Sequence, residues 1–157
     1  MFDLDIYKFC AASIVCFMYN KNFRKDPTEK QVIGQIGEDS ACKYLVNQGF
    51  TILDRNYLKK WGEIDIVAQN DGIMHFVEVK SVSRNIDDVT HETGDSYRPE
   101  DNMHPLKQKR LIRAIESYIM EKNVSDETDW QLDLAMVEID KNKRLSRVSL
   151  LEDIIVE

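Results

Sequence analysis

The stretch GEIDIVAQNDGIMHFVEVK, residues 62–80, decides the fold of this chain. It contains the strand-like run Glu63–Gln69 and most of a second run, Ile73–Ser81, and both runs contain β-branched residues. Asp71 and Gly72 lie between the two runs, and an Asp-Gly pair in this context is a strong signal for a two-residue hairpin turn. The stretch therefore predicts an antiparallel β-hairpin.

A two-residue turn also determines which residues of the hairpin face each other. Asp65 is predicted to lie opposite Glu78, and Glu63 opposite Lys80. Because side chains alternate along a strand, these four share one face of the hairpin. The other face is predicted to be apolar and to consist of Ile64, Ile66, Val77 and Val79.

The predicted pairing of Asp65 with Glu78 is a local conflict, since like charges directly opposite each other destabilise a sheet. A divalent cation would resolve it, because Mg²⁺ binds oxygen ligands and commonly takes one or two carboxylates while keeping several waters. Lys80 would then be placed to orient a water or to neutralise charge on a scissile phosphate. The alternative is a solvated sheet face with pairs such as Glu63–Lys80, and the spacing alone leaves both readings open.

The residues around the hairpin predict further elements. The polar stretch Val82–His104 shows no periodicity, and a connection of that length is typical of a functional loop or of disorder; we expect a mobile loop beside the site that becomes ordered when nucleic acid binds. The order α-β-β-β-α-β predicts an α/β domain, a mixed sheet flanked by helices, over residues 27–157. Its other elements are a helix at Thr28–Gln48, a strand at Thr51–Tyr57, a helix from Pro105 to about Lys122, a strand at Trp130–Ile139 and a strand or short mixed element at Arg147–Val156.

Residues 1–26 are read as an N-terminal extension. Phe9–Tyr19 is apolar, but it is shorter than the ~20 residues that cross a bilayer. Asp3 and Asp5 precede this run, whereas a signal peptide begins with basic residues. We expect a helix packed on the domain or on a partner, with a membrane tether as the less favoured alternative.

Composition limits the functional class. With 43% apolar and 31% charged residues the chain has the profile of a soluble globular protein. Its formal net charge of −7 argues against a general nucleic-acid coat protein, since phosphate binding requires an excess of Lys and Arg at the surface. The 3 cysteines and 3 histidines show no metal-ligand spacing, which argues against a zinc site and favours a reducing, cytoplasmic location.

Glu38 is a further candidate site residue. Glu38, Ala41, Cys42 and Leu45 follow the helical i, i+3, i+4, i+7 pattern, so Glu38 is predicted to point along a mostly apolar stripe. A carboxylate facing inward is costly unless it is paired or linked to a metal. The structural alternative is that Glu38 lies at the edge of the stripe in water or bonds a nearby amide.

An ordered series of motifs lies between about Thr28 and Ile139. The motifs are Gly34-x-x-Gly37-Glu38-x-x-Ala41, Arg55-Asn56, Gly62-Glu63-Ile64-Asp65-Ile66-Val67, Phe76-Val77-Glu78-Val79-Lys80, Lys107-Gln108-x-Arg110-Leu111 and Asp133. This series resembles the YraN-like family, uncharacterised bacterial proteins of the restriction-endonuclease-like group. Gln131 and Leu132 depart from the Arg-Phe pair that this family usually has before the position of Asp133.

This resemblance implies a PD-(D/E)xK nuclease core, similar to archaeal Holliday-junction resolvases. It implies that Asp65, Glu78 and the Val79 carbonyl bind Mg²⁺ or Mn²⁺ and that Lys80 is the catalytic lysine. Glu38 becomes a helix-borne catalytic acid that acts on the metal directly or through water. Glu63 lies in the motif as an accessory residue. The implied reaction is hydrolysis of a phosphodiester bond.

Basic residues indicate where nucleic acid would bind. Lys107, Arg110 and Arg113 recur every three residues and predict a positive stripe along the second helix, and Lys59 and Lys60 precede the hairpin. Together with a late cluster at residues 141–147 they can supply phosphate contacts. No repeated aromatic-basic pattern favours single strands, so duplex or branched DNA is the expected partner. Symmetric cutting of two strands would favour a homodimer.

A second functional class stays open from sequence. The chain could be a non-catalytic nucleic-acid-binding or assembly module that keeps the nuclease fold and has lost turnover. The intact set of two acids and a lysine favours the enzyme.

Overall fold

The computed structural model describes residues 5–8, 27–84 and 105–154. The predictions for the apolar run Phe9–Tyr19 and for most of the polar stretch Val82–His104 therefore lie outside the described residues. Neither helix within those residues has the length and apolar content required to cross a membrane.

The described elements form one mixed sheet with two helices. The six strands lie in the order β1-β6-β5-β4-β3-β2, and β4 and β5 form the parallel pair. The predicted α/β class and element order are confirmed. The elements are β1 (Asp5–Lys8), α1 (Glu29–Asn47), β2 (Thr51–Lys59), β3 (Gly62–Asn70), β4 (Ile73–Ser83), α2 (Pro105–Glu121), β5 (Trp130–Asp140) and β6 (Leu145–Leu151).

Strand β1 was not predicted. It pairs with β6 at the edge of the sheet, from Asp5 opposite Val148 to Lys8 opposite Leu145. Four residues next to an apolar run show too few alternations to indicate a strand. The backbone of β6 supplies the partner that this short segment requires.

Helix α1 begins and ends where its sequence signals lie. Thr28 and Gln31 form a capping box: the Thr28 hydroxyl accepts from the Gln31 backbone N–H at 3.3 Å, and the Gln31 side chain accepts from the Thr28 N–H at 2.9 Å. After the helix Gly49 has a φ of 91°, in the left-handed region that favours glycine. The two ends therefore orient α1 across the sheet.

The hairpin between β3 and β4 has the predicted turn. Asp71 and Gly72 have positive φ values of 48° and 85°, as a type I′ turn requires. The predicted register is confirmed from Asn70 opposite Ile73 to Ile66 opposite Val77. Beyond that point the two strands are no longer paired, so the predicted pairs Asp65–Glu78 and Glu63–Lys80 are not formed.

One part of the predicted alternation is wrong. Ile64 does not share a face with Ile66: it packs with the residues under α2, whereas Ile66 packs with those under α1. Between these two residues only the backbone pair Asn56–Asp65 is missing, and the register of β3 with β2 is the same on either side of it. Asn56 has a φ of 50° at this point, whereas the register shift of this strand pair lies earlier in β2, between residues 52 and 54. Simple period-2 alternation therefore fails across Asp65 without a change of register.

Two apolar layers cover the two faces of the sheet. On one face α1 buries Ile36, Ala41 and Leu45 against the sheet, and on the other face α2 buries Leu111 and Ile115. The adjacent residues Phe76 and Val77 of β4 belong to different layers, as the alternation of a strand requires. The sheet is thus sandwiched between the helices, and both can reach the point where β3 and β4 separate.

Two glycines allow close contacts between the helices and the sheet. A Cβ at Gly37 of α1 would lie 1.7 Å from the Ser81 hydroxyl oxygen of β4. A Cβ at Gly62 of β3 would lie 2.5 Å from the Arg110 carbonyl oxygen of α2. Real Cβ atoms essentially never approach so closely, so both positions require glycine for steric reasons.

Candidate active site

The candidate site lies where the hairpin ladder ends. In place of a backbone pair with β4 at this point, Asp65 uses its side chain: its Oδ2 accepts a hydrogen bond from the Val79 backbone N–H at 2.7 Å. Asp65 is thereby held across the gap between the two strands. At this opening, side chains of both helices can reach the part of β4 that includes Glu78, Val79 and Lys80.

A cavity of about 510 Å³ occupies this opening. Its walls include all the residues predicted to be catalytic or metal-binding: Glu38, Asp65, Glu78, Val79 and Lys80. Lys107 of α2 lines the same cavity. Residues that come from two strands and two helices therefore converge on one space.

A second cavity of about 430 Å³ adjoins the first. Glu63 lines this second cavity, and Asp65, Glu78 and Lys107 line both cavities. The accessory residue Glu63 is exposed at the side of the site, while Glu78 is buried in its floor.

The acidic side chains repel one another. Burial, followed by the charge of Glu78, raises the pKa of Asp65 from 3.8 to about 8. Burial also raises the pKa of Glu63, and the charge of Glu78 adds to it. Asp65 and Glu78 are thus not directly opposed in the ladder, but the charge of Glu78 still raises the pKa of Asp65 in addition to burial.

Helix α1 contributes Glu38, which is held by polar contacts from β2. The Asn56 side-chain amide donates to Glu38 Oε2 at 2.8 Å, and the Arg55 guanidinium lies 3.9 Å from the same oxygen. Burial raises the pKa of Glu38 even though these two neighbours act in the opposite direction. Arg55 is itself anchored on Asp39 at 2.7 Å.

Two lysines meet on one oxygen of Glu78. Lys80 Nζ lies 3.3 Å from Glu78 Oε1, and Lys107 donates a hydrogen bond to the same oxygen. Burial, followed by the positive charge nearby on Lys107, lowers the pKa of Lys80. Burial also disfavours the charge on Lys107, but its hydrogen bond with Glu78 raises the pKa of Lys107 overall.

The other predicted basic residues lie outside this contact. Arg110 is exposed beside the second cavity, and Arg113 lies 5.9 Å from the centre of the Trp61 ring. Lys60 is 5.5 Å from the same ring. Lys59 is paired with Glu121 at 2.5 Å. The stripe on α2 therefore leads away from the cavities toward the turn between β2 and β3.

Asp133, the last residue of the motif series, is structural. Its Oδ2 is 2.7 Å from His75 Nδ1, and its Oδ1 accepts from Gln131 and from the Asp153 backbone N–H. Asp133 and His75 are both buried and line neither cavity. Asp133 thus ties β5 to β4 and to the chain after β6. Gln131, which departs from the family pattern, serves as one of its donors.

Two features of the site were missed by sequence reasoning. Asn56 was noted as part of a motif but not as a site residue; the only local signal for its backbone is that Asn adopts positive φ more often than most residues do. Lys107 was assigned to a nucleic-acid stripe, whereas its ammonium group contacts Glu78. No local signal could have placed Lys107 there, because the contact joins residues 29 positions apart.

The donor chemistry suits a hard divalent cation. Within the described parts of the chain, no three His, Cys, Asp or Glu side chains converge as a ready-made metal site. Asp65 and Glu78 would have to hold the ion together with backbone and water. That is sufficient for Mg²⁺, which commonly uses one or two carboxylates, and a positive ion would relieve the repulsion that raises the pKa of Asp65.

Comparison with known proteins identifies the family. Residues 37–147 match the model of the uncharacterised protein family UPF0102. A UPF0102 protein of Campylobacter lari is 42% identical over 118 residues, which cover 75% of this chain and 94% of the relative. Relatives from Campylobacter jejuni and Campylobacter fetus are 38% and 36% identical, over 68% and 77% of this chain and over 84% and 96% of their own lengths. The chain therefore belongs to the family UPF0102.

Proposed function

We propose that this protein is a metal-dependent nuclease with a restriction-endonuclease-like core, and that it hydrolyses phosphodiester bonds in DNA. The observation that supports this most directly is the convergence of Glu38, Asp65, Glu78 and Lys80 on one cavity. These residues come from α1, β3 and β4, and local sequence does not bring α1 to the hairpin. Two acids beside a lysine in an opening that a substrate can enter are the groups that this chemistry uses.

Each residue has a distinct role in the proposal. Asp65 and Glu78, with the Val79 carbonyl, would hold Mg²⁺ or Mn²⁺, which when bound supplies Lewis-acid polarisation of the phosphate and a more acidic water. Glu38, held by Asn56, orients the attacking water. Lys80 neutralises the charge that develops on the phosphate.

Local cations supply the phosphate contacts in this proposal. Lys30, Lys80 and Lys107 line the main cavity, and Arg110 lines the adjoining one. Because the net charge is −7, long-range attraction of a polyanion is weak. Acids line the main cavity too, so a bound divalent cation has to offset their charge before a phosphate can approach; they are Glu29, Glu38, Asp65 and Glu78. Branched DNA is our first candidate substrate.

The test is a cleavage assay on a panel of duplex, nicked, branched and single-stranded DNA, with RNA alongside, in Mg²⁺ or Mn²⁺. We expect the wild type to cut at least one DNA. Asp65→Asn should cut none and should lose the metal-induced rise in melting temperature. Asp126→Asn, the same change at an exposed position outside both cavities, is the matched control. Equal metal-induced shifts in the two variants would refute the metal assignment.

One observation supports the non-catalytic alternative. Lys80 and Lys107 together balance the charge of Glu78 without any metal, as a pure binding module would require. If the wild type binds the panel but cuts none of it at any metal concentration, this second function replaces the first.

A further inference from the structure

The contact between Lys107 and Glu78 differs from the other ion pairs around the site. Glu78 is 4% exposed in its side chain, whereas Lys107 is 44% exposed. Glu78 is confined to the floor of the cavity, while the long side chain of Lys107 can turn toward solvent. One partner of this pair is therefore fixed and the other is free to leave.

Glu78 has a second cation on the same atom. Lys80 Nζ is 3.3 Å from Oε1, the oxygen that accepts from Lys107. The two ammonium groups share this one oxygen, so their like charges repel each other. If Lys107 moves away, Glu78 is still paired with Lys80, so its buried charge keeps a counter-ion.

The location of Lys107 adds an independent argument. Glu78, Asp65 and Lys107 line both cavities, so the Lys107–Glu78 contact lies at the boundary between them. A cation that uses Glu78 and Asp65 together has to occupy this boundary. It would share the space and the carboxylate oxygen that Lys107 takes in the metal-free protein.

From this geometry we infer that Lys107 is an internal counter-ion, which a divalent cation displaces from Glu78 when it binds. The inference rests on the proposed metal site and adds to it a competitor within the chain. Lys107 stabilises the metal-free fold by neutralising Glu78, and it weakens metal binding by the same interaction. Sequence reasoning had assigned Lys107 to nucleic-acid binding alone.

Direct Mn²⁺ binding, measured by the electron paramagnetic resonance of the free ion, tests this without any assay of activity. Lys107→Gln should bind Mn²⁺ about tenfold more tightly than the wild type, because an opposite charge at contact distance biases a carboxylate by about one pKa unit or more. Lys109→Gln, the same change at an exposed neighbour on α2, should bind as the wild type does. Lys107→Arg keeps the charge and should also match the wild type.

A thermal melt of the metal-free variants gives the complementary readout. In a chelator the melting temperature of Lys107→Gln should be lower than that of Lys109→Gln. Addition of Mn²⁺ should reduce this difference in melting temperature. Equal Mn²⁺ affinity of Lys107→Gln and Lys109→Gln, with the wild type also binding, overturns the counter-ion role and leaves the metal site standing. If neither the wild type nor Lys107→Gln binds Mn²⁺, both the counter-ion role and the proposed metal site are wrong. If Lys107→Gln binds Mn²⁺ and the wild type does not, the result strongly supports competition between Lys107 and the metal ion for Glu78.

Discussion

The two helices reach the same cavity from opposite faces of the sheet, but they carry their functional groups differently. Both helices approach the sheet closely at a glycine: Gly37 of α1 faces β4, and Gly62 of β3 faces the Arg110 carbonyl of α2. In α1 this contact directly precedes the functional residue Glu38, whereas in α2 it lies three residues after Lys107. The position of Glu38 therefore depends on the backbone of its helix, while Lys107 reaches the cavity through a long side chain.

The functional groups themselves follow this difference. Glu38 of α1 is 20% exposed and is held by Asn56 and Arg55. Lys107 of α2 is 44% exposed and contacts Glu78 alone among the acids that line the cavity. A carboxylate with a short side chain depends on the exact position of its helix, while a lysine tolerates small shifts.

The largest effect is expected at Lys80, on the strand between the two helices. Lys80→Ala should lower the cleavage rate about 10²–10³-fold, because loss of one preorganised charge stabiliser costs about 2.7–4 kcal/mol in the transition state. Mg²⁺ affinity should be retained. Lys43→Ala, at an exposed position of α1, is the control. Cleavage by Lys80→Ala at the wild-type rate would show that the catalytic assignment is wrong.

The next effect is a pH dependence that arises because burial, and after it the acids around Asp65, raise the pKa of this carboxyl group. The folded pKa of Asp65 is raised from 3.8 to about 8, so between these values the folded state binds more protons than the unfolded state. Metal-free stability should therefore fall as pH rises from about 5 to 8, by up to about 1.4 kcal/mol per unit.

This pH dependence is measured by urea unfolding in a chelator across that range. Asp65→Asn should flatten the dependence, and Asp126→Asn should leave it unchanged. Glu38→Gln should flatten it in part, because Glu38 also raises the pKa of Asp65. Wild-type stability that rises with pH over this range would contradict the burial argument.

A smaller effect is expected from the close approach of α1. Gly37→Ala places a Cβ 1.7 Å from the Ser81 hydroxyl and 2.8 Å from Ser81 Cβ, and overpacking of this kind costs about 1–3 kcal/mol. The shift of α1 should also slow cleavage, because Glu38 is the next residue. Gly34→Ala is the matched control, since its Cβ would meet nothing within 4 Å, and it should stabilise the helix by up to about 1 kcal/mol. Thermal melts and rates of both variants measure this difference, and equal effects would remove the contrast between the helices.

The smallest effect is expected in the layer under α2. Ile115 is fully buried there, and Ile115→Val should cost about 0.5–1.5 kcal/mol of stability. The cleavage rate should stay unchanged, because Lys107 reaches Glu78 with a flexible side chain. Urea unfolding and initial rates are the measurements. A rate loss as large as that of Gly37→Ala would show that α2 is positioned as strictly as α1.

Local patterns predicted the hairpin well. The Asp71-Gly72 pair and the alternation around it determined a register that the structure reproduces from Asn70 to Ile66. Capping residues likewise predicted the start of α1 at Thr28. These signals are local because turn geometry and helix caps involve residues only a few positions apart.

The predicted alternation failed at Asp65. Ile64 was expected on the face of Ile66, but Asp65 between them lacks a backbone pair in both β2 and β4. On one side Asn56 has a positive φ, and on the other the Asp65 side chain takes the Val79 N–H in place of a backbone partner. An analysis of two-residue alternation cannot show that a side-chain carboxylate accepts from a backbone N–H that would otherwise pair within the sheet.

Residue patterns were sufficient to predict the α/β class, the hairpin with its turn, and the acids and the lysine that share the cavity. They did not predict that Glu38 is held by Asn56 or that Lys107 neutralises Glu78. The distance along the chain explains this difference. Periodicity and turn chemistry act between neighbours along the chain, whereas these two contacts join residues 18 and 29 positions apart. They arise only once both helices have packed on opposite faces of one sheet.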